Sequence, residues 1–84
     1  MRDVITEHGA IKQLIIENVL DPGHSLQAEL DAREMTQRQL ATIAGINKSK
    51  TNRLISGMDE FTLWQLHELC RALGADEVVL KIRR

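Results

Sequence analysis

The sequence lacks most of the residues that build aromatic cores, disulfides and membrane spans. Only Phe61 and Trp64 are aromatic among its 84 residues, so the core must be aliphatic. A single cysteine, Cys70, excludes an internal disulfide and is typical of a reducing compartment. No apolar run approaches the ~20 residues of a membrane helix, and the N-terminal residues do not read as a secretion signal. We therefore expect one small cytoplasmic domain, for which oligomerisation would offset a limited core.

Groups that could carry catalysis or bind a metal are equally sparse. His67 and Glu68 begin like the helix of a zinc protease, but Arg71 occupies the position of the second histidine. His67 and Cys70 share a helix face without further ligands. No glycine-rich phosphate loop is present. The sequence thus predicts a protein that is not an enzyme and uses neither a cofactor nor a metal.

Acidic residues are absent from one stretch, residues 36–58, although the whole chain has a net charge of −1. Four basic residues lie in this stretch, which gives it a net charge of +4: Arg38, Lys48, Lys50 and Arg53. A polyanion responds to such a local field more than to the total charge of a protein. The distribution favours a nucleic-acid partner.

The same stretch has the pattern of two short helices joined by a tight turn. Thr36 and Gln39 have the spacing of a capping box at the start of the first helix. Gly45 can end that helix in a left-handed conformation, and Asn47 can cap the next one. Apart from Leu54 and Ile55, the second helix is polar. A short helix with long hydrogen-bonding side chains suits the major groove of DNA.

Flanking helices are predicted on both sides of this pair. Leu26 and Leu30 would point inward from a helix over residues 24–34, preceded by Asp21 as its cap. After residue 58, Thr62 and Gln65 form a second capping box, with Phe61 before it as part of a hydrophobic staple. The inward-facing stripe of that last helix is predicted to be Leu63, Leu66, Leu69, Cys70 and Leu73, with Trp64 part-buried.

The first twenty residues are harder to interpret. Ile11, Leu14, Ile15 and Val19 are spaced like one face of a helix, which predicts a helix from about residue 10 to residue 20. Such a helix would pack on the domain that follows. The alternative is that it serves as a docking surface for a partner.

The C-terminal residues 77–84 change to a period of two, which is a strand pattern rich in β-branched residues. A lone strand in a helical chain must pair its backbone groups elsewhere. The favoured solution is antiparallel pairing with a second copy across a two-fold axis; the alternative is a short N-terminal strand at residues 3–6. The predicted dimerisation residues are Val78, Val79, Leu80, Lys81 and Ile82.

Residues 36–56 resemble the helix-turn-helix of the phage repressor and Cro family, also called the XRE family. With Gln37 as the first motif position, Ala41, Gly45 and Leu54 occupy the small, turn-glycine and apolar positions. Thr51 stands where the family usually has valine or isoleucine; it has the shape of valine, but its hydroxyl needs a local acceptor. The resemblance implies an all-α, compact repressor-like bundle at residues 24–76, between an N-terminal extension at residues 1–23 and the C-terminal strand.

The resemblance also implies which side chains meet DNA. Gln37 corresponds to a phosphate contact, and Lys48, Ser49 and Arg53 correspond to positions that reach base edges. Asn47, Lys50 and Asn52 flank them and could touch either backbone or bases. Arg53 suits guanine, because its planar fork matches two acceptors. We expect two such helices of a homodimer to bind a pseudo-palindromic operator.

Three segments, residues 35–41 (MTQRQLA), residues 54–66 and residues 73–84 (LGADEVVLKIRR), are further similar to single-domain HigA-type antitoxins. Members of that branch repress their own operon and bind a RelE-like ribonuclease toxin. This similarity implies an autoregulating antitoxin of a type II toxin-antitoxin operon. Two alternatives stay open: a phage Cro-like regulator, and an interaction module that mainly neutralises a toxin.

Overall fold

The computed structural model describes residues 12–83, and these form four helices and two short strands. In chain order the elements are β1 (Gln13–Ile16), α1 (Pro22–Ala32), α2 (Gln37–Ala44), α3 (Lys48–Ile55), α4 (Leu63–Ala72) and β2 (Glu77–Leu80). The helical part of the predicted fold class is confirmed, and a small sheet is added to it. No helix in the described residues is long and apolar enough to cross a membrane.

The predicted caps of α2 and α3 are confirmed. The Thr36 Oγ1 accepts a hydrogen bond from the Gln39 N–H at 3.0 Å, and the Gln39 Oε1 accepts one from the Thr36 N–H at 2.8 Å. Gly45 takes the left-handed conformation with φ of 73°. The Asn47 Oδ1 accepts from the N–H groups of Ser49 and Lys50 at 2.8 and 3.2 Å. These local bonds satisfy orphan donors at each helix start and fix the turn between the two helices.

The core is aliphatic and draws on every element except β2 for its fully buried side chains. Leu26 and Leu30 of α1 are fully buried, as predicted. On α4, however, Leu63 is 77% exposed, so its predicted inward orientation is wrong. Leu63 is the first residue of α4, and Phe61 instead packs against the core from the preceding loop. Trp64 is 62% exposed rather than part-buried.

A second capping box starts α4, again as predicted. The Thr62 Oγ1 accepts from the Gln65 N–H at 3.0 Å, and the Gln65 Oε1 accepts from the Thr62 N–H at 2.9 Å. Asp21 does precede α1, with Pro22 in its first turn, but the Asp21 side chain makes no capping bond.

Gly23 marks a close approach between the start of α1 and the end of α3. A Cβ placed on Gly23 would lie 2.1 Å from the backbone oxygen of Ile55 and 2.9 Å from its Cα. Both residues are buried. The absence of a side chain at this position lets α1 rest directly on the backbone of α3.

The predicted helix over residues 10–20 is wrong across its described part, because Gln13–Ile16 is a strand. Leu14 and Ile16 are fully buried while Gln13 is exposed, which is the alternation of a strand with one face on the core. The pairing partner of this strand lies at the other end of the chain, so local helical spacing was misleading. Residues 10 and 11 lie outside the described range, as does the alternative strand at residues 3–6.

The C-terminal strand β2 finds its partner inside the same chain. It runs parallel to β1, with Gln13 opposite Glu77 and Ile16 opposite Leu80. Beyond the strands, the Lys81 N–H donates to the Ile16 carbonyl at 3.0 Å, and the Val19 N–H donates to the Lys81 carbonyl at 2.8 Å. The premise that β2 needs a second copy for pairing is therefore wrong. Pairing across a dimer stays a prediction.

Candidate nucleic-acid interface

Helix α3 divides into a buried face and a polar exposed face. Thr51, Leu54 and Ile55 point into the core and anchor the helix. The exposed residues are Lys48, Ser49, Asn52 and Arg53, and Lys50 is half-buried. Contacts with α1 and α2 support the helix from behind. Its outer face, free of acidic residues of its own, is thus held on a rigid scaffold.

Five of the seven predicted DNA-contacting residues line one shallow groove of about 330 Å³: Gln37, Lys48, Ser49, Asn52 and Arg53. Asn47 caps α3, as described above. Lys50 points to the loop that follows α3, where it meets Asp59. The structure therefore brings most of the predicted site together and places Asn47 and Lys50 at its margins.

A chain of side-chain amides connects this groove to α1. The Asn52 Nδ2 donates to the Gln37 Oε1 at 2.9 Å, and the Gln37 Nε2 donates to the Gln27 Oε1 at 2.8 Å. The Gln27 Nε2 in turn donates to the Asp31 Oδ1 at 2.9 Å. Gln37 thus has a fixed orientation, and its amide nitrogen carries a second hydrogen that can reach a ligand. Sequence reasoning missed Gln27, since only the fold places it beside Gln37.

Sequence reasoning also missed the role of Asp59, which lies in the loop between α3 and α4. Its Oδ2 accepts from the Lys50 Nζ at 3.0 Å and from the Arg53 Nε at 2.9 Å. These bonds to Arg53 and Lys50 hold the pKa of the Asp59 carboxyl below its usual value. The acid-free surface predicted from residues 36–58 therefore has a carboxylate at its edge. The only signal in the sequence was an acid in the following loop, six residues after Arg53 and nine residues after Lys50.

Thr51 places a hydroxyl group where the motif usually has an apolar valine or isoleucine side chain. Its side chain is fully buried, and its Oγ1 has no hydrogen-bond partner among the described residues. The sequence predicts that this hydroxyl needs a local acceptor. That expectation is not met in the structure. An unpaired buried hydroxyl lowers stability directly beneath the exposed face of α3.

Metal-ligating side chains do not cluster in the described part of the chain. Residues 12–83 contain no group of three or more His, Cys, Asp or Glu side chains that could hold a metal ion. Cys70 is buried in the core, and burial raises the pKa of its thiol to about 11, with the charge of Glu29 acting in the same direction. The thiol is therefore protonated at neutral pH and contributes as a small apolar side chain.

Comparison with known proteins agrees with the geometry of the two-helix unit. A family model described as a Cro/C1-type HTH DNA-binding domain matches residues 25–77, which include all four helices except the first residues of α1. No curated protein and no solved structure gives a significant match. Since the matched segment covers most of the sequence, the chain belongs to the Cro/C1-type helix-turn-helix DNA-binding family.

Proposed function

We propose that the protein is a sequence-specific DNA-binding repressor in which α3 enters the major groove. The observation that carries this proposal is the exposed face of α3, which presents polar and basic side chains to solvent. The opposite face of the helix is buried in the core. In helix-turn-helix DNA-binding domains, the second helix of the motif contacts base edges in the major groove, and α3 is that helix here. The major groove, about 12 Å wide, admits an α-helix whose diameter with side chains is about 10–12 Å.

Within this proposal, Lys48, Ser49 and Arg53 contact base edges. Gln37, the first residue of α2, contacts a phosphate beside the groove. The amide chain through Gln27 holds Gln37 in place before DNA arrives, so less side-chain entropy is lost on binding. Phosphate contacts supply affinity and salt dependence, and base contacts supply sequence choice.

The proposed assembly on DNA is a homodimer. Two recognition helices would enter successive major grooves about 34 Å apart on a pseudo-palindromic operator. The exposed apolar side chains of Leu80 and Ile82 support a contact at the C-terminal segment. Because β2 already pairs with β1, a second copy would add to an existing two-stranded sheet.

The binding site is tested with Arg53→Ala, measured by fluorescence anisotropy on a duplex enriched by in vitro selection. Loss of a bidentate guanine contact costs about 1–3 kcal/mol and relaxes one base position. The matched control is Arg71→Ala, which removes the same charge from an exposed position on α4. Equal affinities of the two variants for the selected duplex would contradict the assignment of base contacts.

The finer role that we propose is that of an autoregulating antitoxin. Its support is the sequence similarity of residues 35–41, 54–66 and 73–84 to single-domain HigA-type antitoxins. Co-expression with the product of the adjacent reading frame tests this role. A small basic RelE-like toxin that co-purifies with the protein, and whose toxicity the protein relieves, would support it. A location in a phage early region would instead favour a Cro-like regulator.

A further inference from the structure

We propose that Asp59 is a specificity-determining residue, which acts by fixing the orientation of Arg53 towards a base. This inference rests on the proposed function, since it assigns a role within the same DNA-binding site. It concerns a residue outside the two-helix unit, in the loop that connects α3 to α4. Asp59 itself need not touch DNA.

The loop is bound to Arg53 through both backbone and side chain. The N–H groups of Met58 and Asp59 donate to the Arg53 carbonyl at 2.9 and 3.2 Å. Gly57 permits this reversal with a φ of 85°. The Asp59 carboxylate then returns to the Arg53 Nε at 2.9 Å. Because the backbone of the acid is held by the same residue that its side chain binds, the carboxylate has a fixed position relative to α3.

The bond to Asp59 uses the nitrogen of Arg53 that base recognition does not need. A guanidinium reads guanine through two parallel donors, while Nε lies at the root of the planar group. Within residues 12–83, the ion pair of Arg53 with Asp59 is formed through Nε. With Nε held, the plane of the guanidinium is set and its terminal amino groups can point away from the protein. An arginine ordered in advance loses less rotational freedom on binding, and the gain applies only where the base presents two matching acceptors.

The same carboxylate lowers the attraction of this surface for phosphate. Lys50 and Arg53 share one oxygen of Asp59, so one negative charge offsets part of two positive ones. Loss of this charge should strengthen binding to any duplex, whereas loss of the fixed geometry should weaken discrimination between sequences. A residue that merely competed with DNA would affect all sequences alike. If Asp59 orients Arg53, its removal should therefore raise the affinity for any duplex and lower the discrimination between sequences. If Asp59 only competes with phosphate, the affinity should rise and the discrimination should stay the same.

The experiment compares Asp59→Asn with Glu60→Gln, which changes charge by the same amount at the next, exposed position. Three duplexes are used: the selected duplex, the same duplex changed at the base pair whose readout Arg53→Ala abolishes, and an unrelated sequence. Affinities are measured at two salt concentrations. We expect Asp59→Asn to bind the unrelated duplex more tightly and to lose about tenfold in discrimination at that base pair. Glu60→Gln should keep the wild-type discrimination.

A double-mutant cycle with Arg53→Ala completes the test. Once Arg53 is removed, Asp59→Asn should cause no further loss of discrimination. Asp59→Ala, which removes the acceptor altogether, serves as a second variant, and thermal unfolding checks that each variant is folded. Undiminished discrimination in folded Asp59→Asn and Asp59→Ala would overturn the inference, as would a uniform gain on all duplexes. If the wild-type protein selects no sequence, the proposed function itself fails, independently of Asp59.

Discussion

Substitution of Gly23 by alanine gives the sharpest test of the packing that positions α3. Gly23 lies in the first turn of α1, where alanine should be favoured over glycine by about 1 kcal/mol on intrinsic helix propensity. The structure predicts instead that alanine at position 23 destabilises the protein. The new Cβ would lie 2.1 Å from the Ile55 backbone oxygen, so α1 and α3 would have to separate by more than about 1 Å to reach ordinary contact.

The magnitude of this effect follows from the atoms involved. Ile55 contributes backbone rather than a flexible side chain, so the clash cannot be relieved by a rotamer change. Overpacking of this kind costs about 1–3 kcal/mol, and we expect a loss of about 2 kcal/mol. For a domain of this size, a loss of about 2 kcal/mol lowers the melting temperature by roughly 8–16 °C. Urea unfolding followed by circular dichroism measures the loss directly.

Ala28→Gly supplies the control for helix propensity, because Ala28 occupies an exposed position of the same helix. It should destabilise the protein by about 1 kcal/mol, as expected for glycine in a helix. Gly23→Ala should destabilise it more, although it makes the reverse change. If Gly23→Ala raises stability, the close approach of α1 to the end of α3 is not present in solution. Sequence-specific DNA binding should weaken in parallel, since α3 loses its support.

Three further predictions concern the core and the assembly. Thr51→Val removes a buried hydroxyl without a described partner and should stabilise the protein by about 1 kcal/mol in urea unfolding, whereas the exposed Thr42→Val should have little effect. Because burial raises the pKa of Cys70 from 9.0 to about 11, the stability that its protonated form contributes is complete below pH 9 and is lost as pH rises through 11; Cys70→Ala should abolish this alkaline component in unfolding titrations. If the C-terminal segment forms the dimer contact, Ile82→Glu should yield monomers in sedimentation experiments, whereas Leu63→Glu, also at an exposed site, should not; a dimer that survives Ile82→Glu would contradict this contact.

Most of the helical architecture could be predicted because its determinants are local. The capping boxes at Thr36 and Thr62, and the glycine turn at Gly45, each involve residues within a few positions of one another. The strand β1 could not be predicted in the same way. Its hydrophobic residues also fit a helix, and what selects the extended form is a partner 64 residues away. Tertiary pairing therefore overrode the local periodicity.

In the candidate site, too, features set by neighbouring residues could be predicted, whereas contacts between distant segments could not. The exposed face of α3 follows from the motif, because buried Leu54 and Ile55 fix which side chains point outward. The hydrogen-bond partners of those side chains cannot be predicted from the motif. Gln27 reaches Gln37 from another helix, and Asp59 returns from a loop whose course depends on Gly57. The sequence indicates which residues are presented, while the fold determines how each is oriented.

The parallel pairing of β1 with β2 has a mechanical consequence. The start of β1 and the end of β2 lie at opposite ends of the sheet, because the strands run in the same direction. Tension applied at residues 12 and 83 would therefore load the hydrogen bonds between the strands together, in shear, rather than one after another. Force spectroscopy with handles at these two positions should show a higher rupture force than handles that peel β2 away from one end.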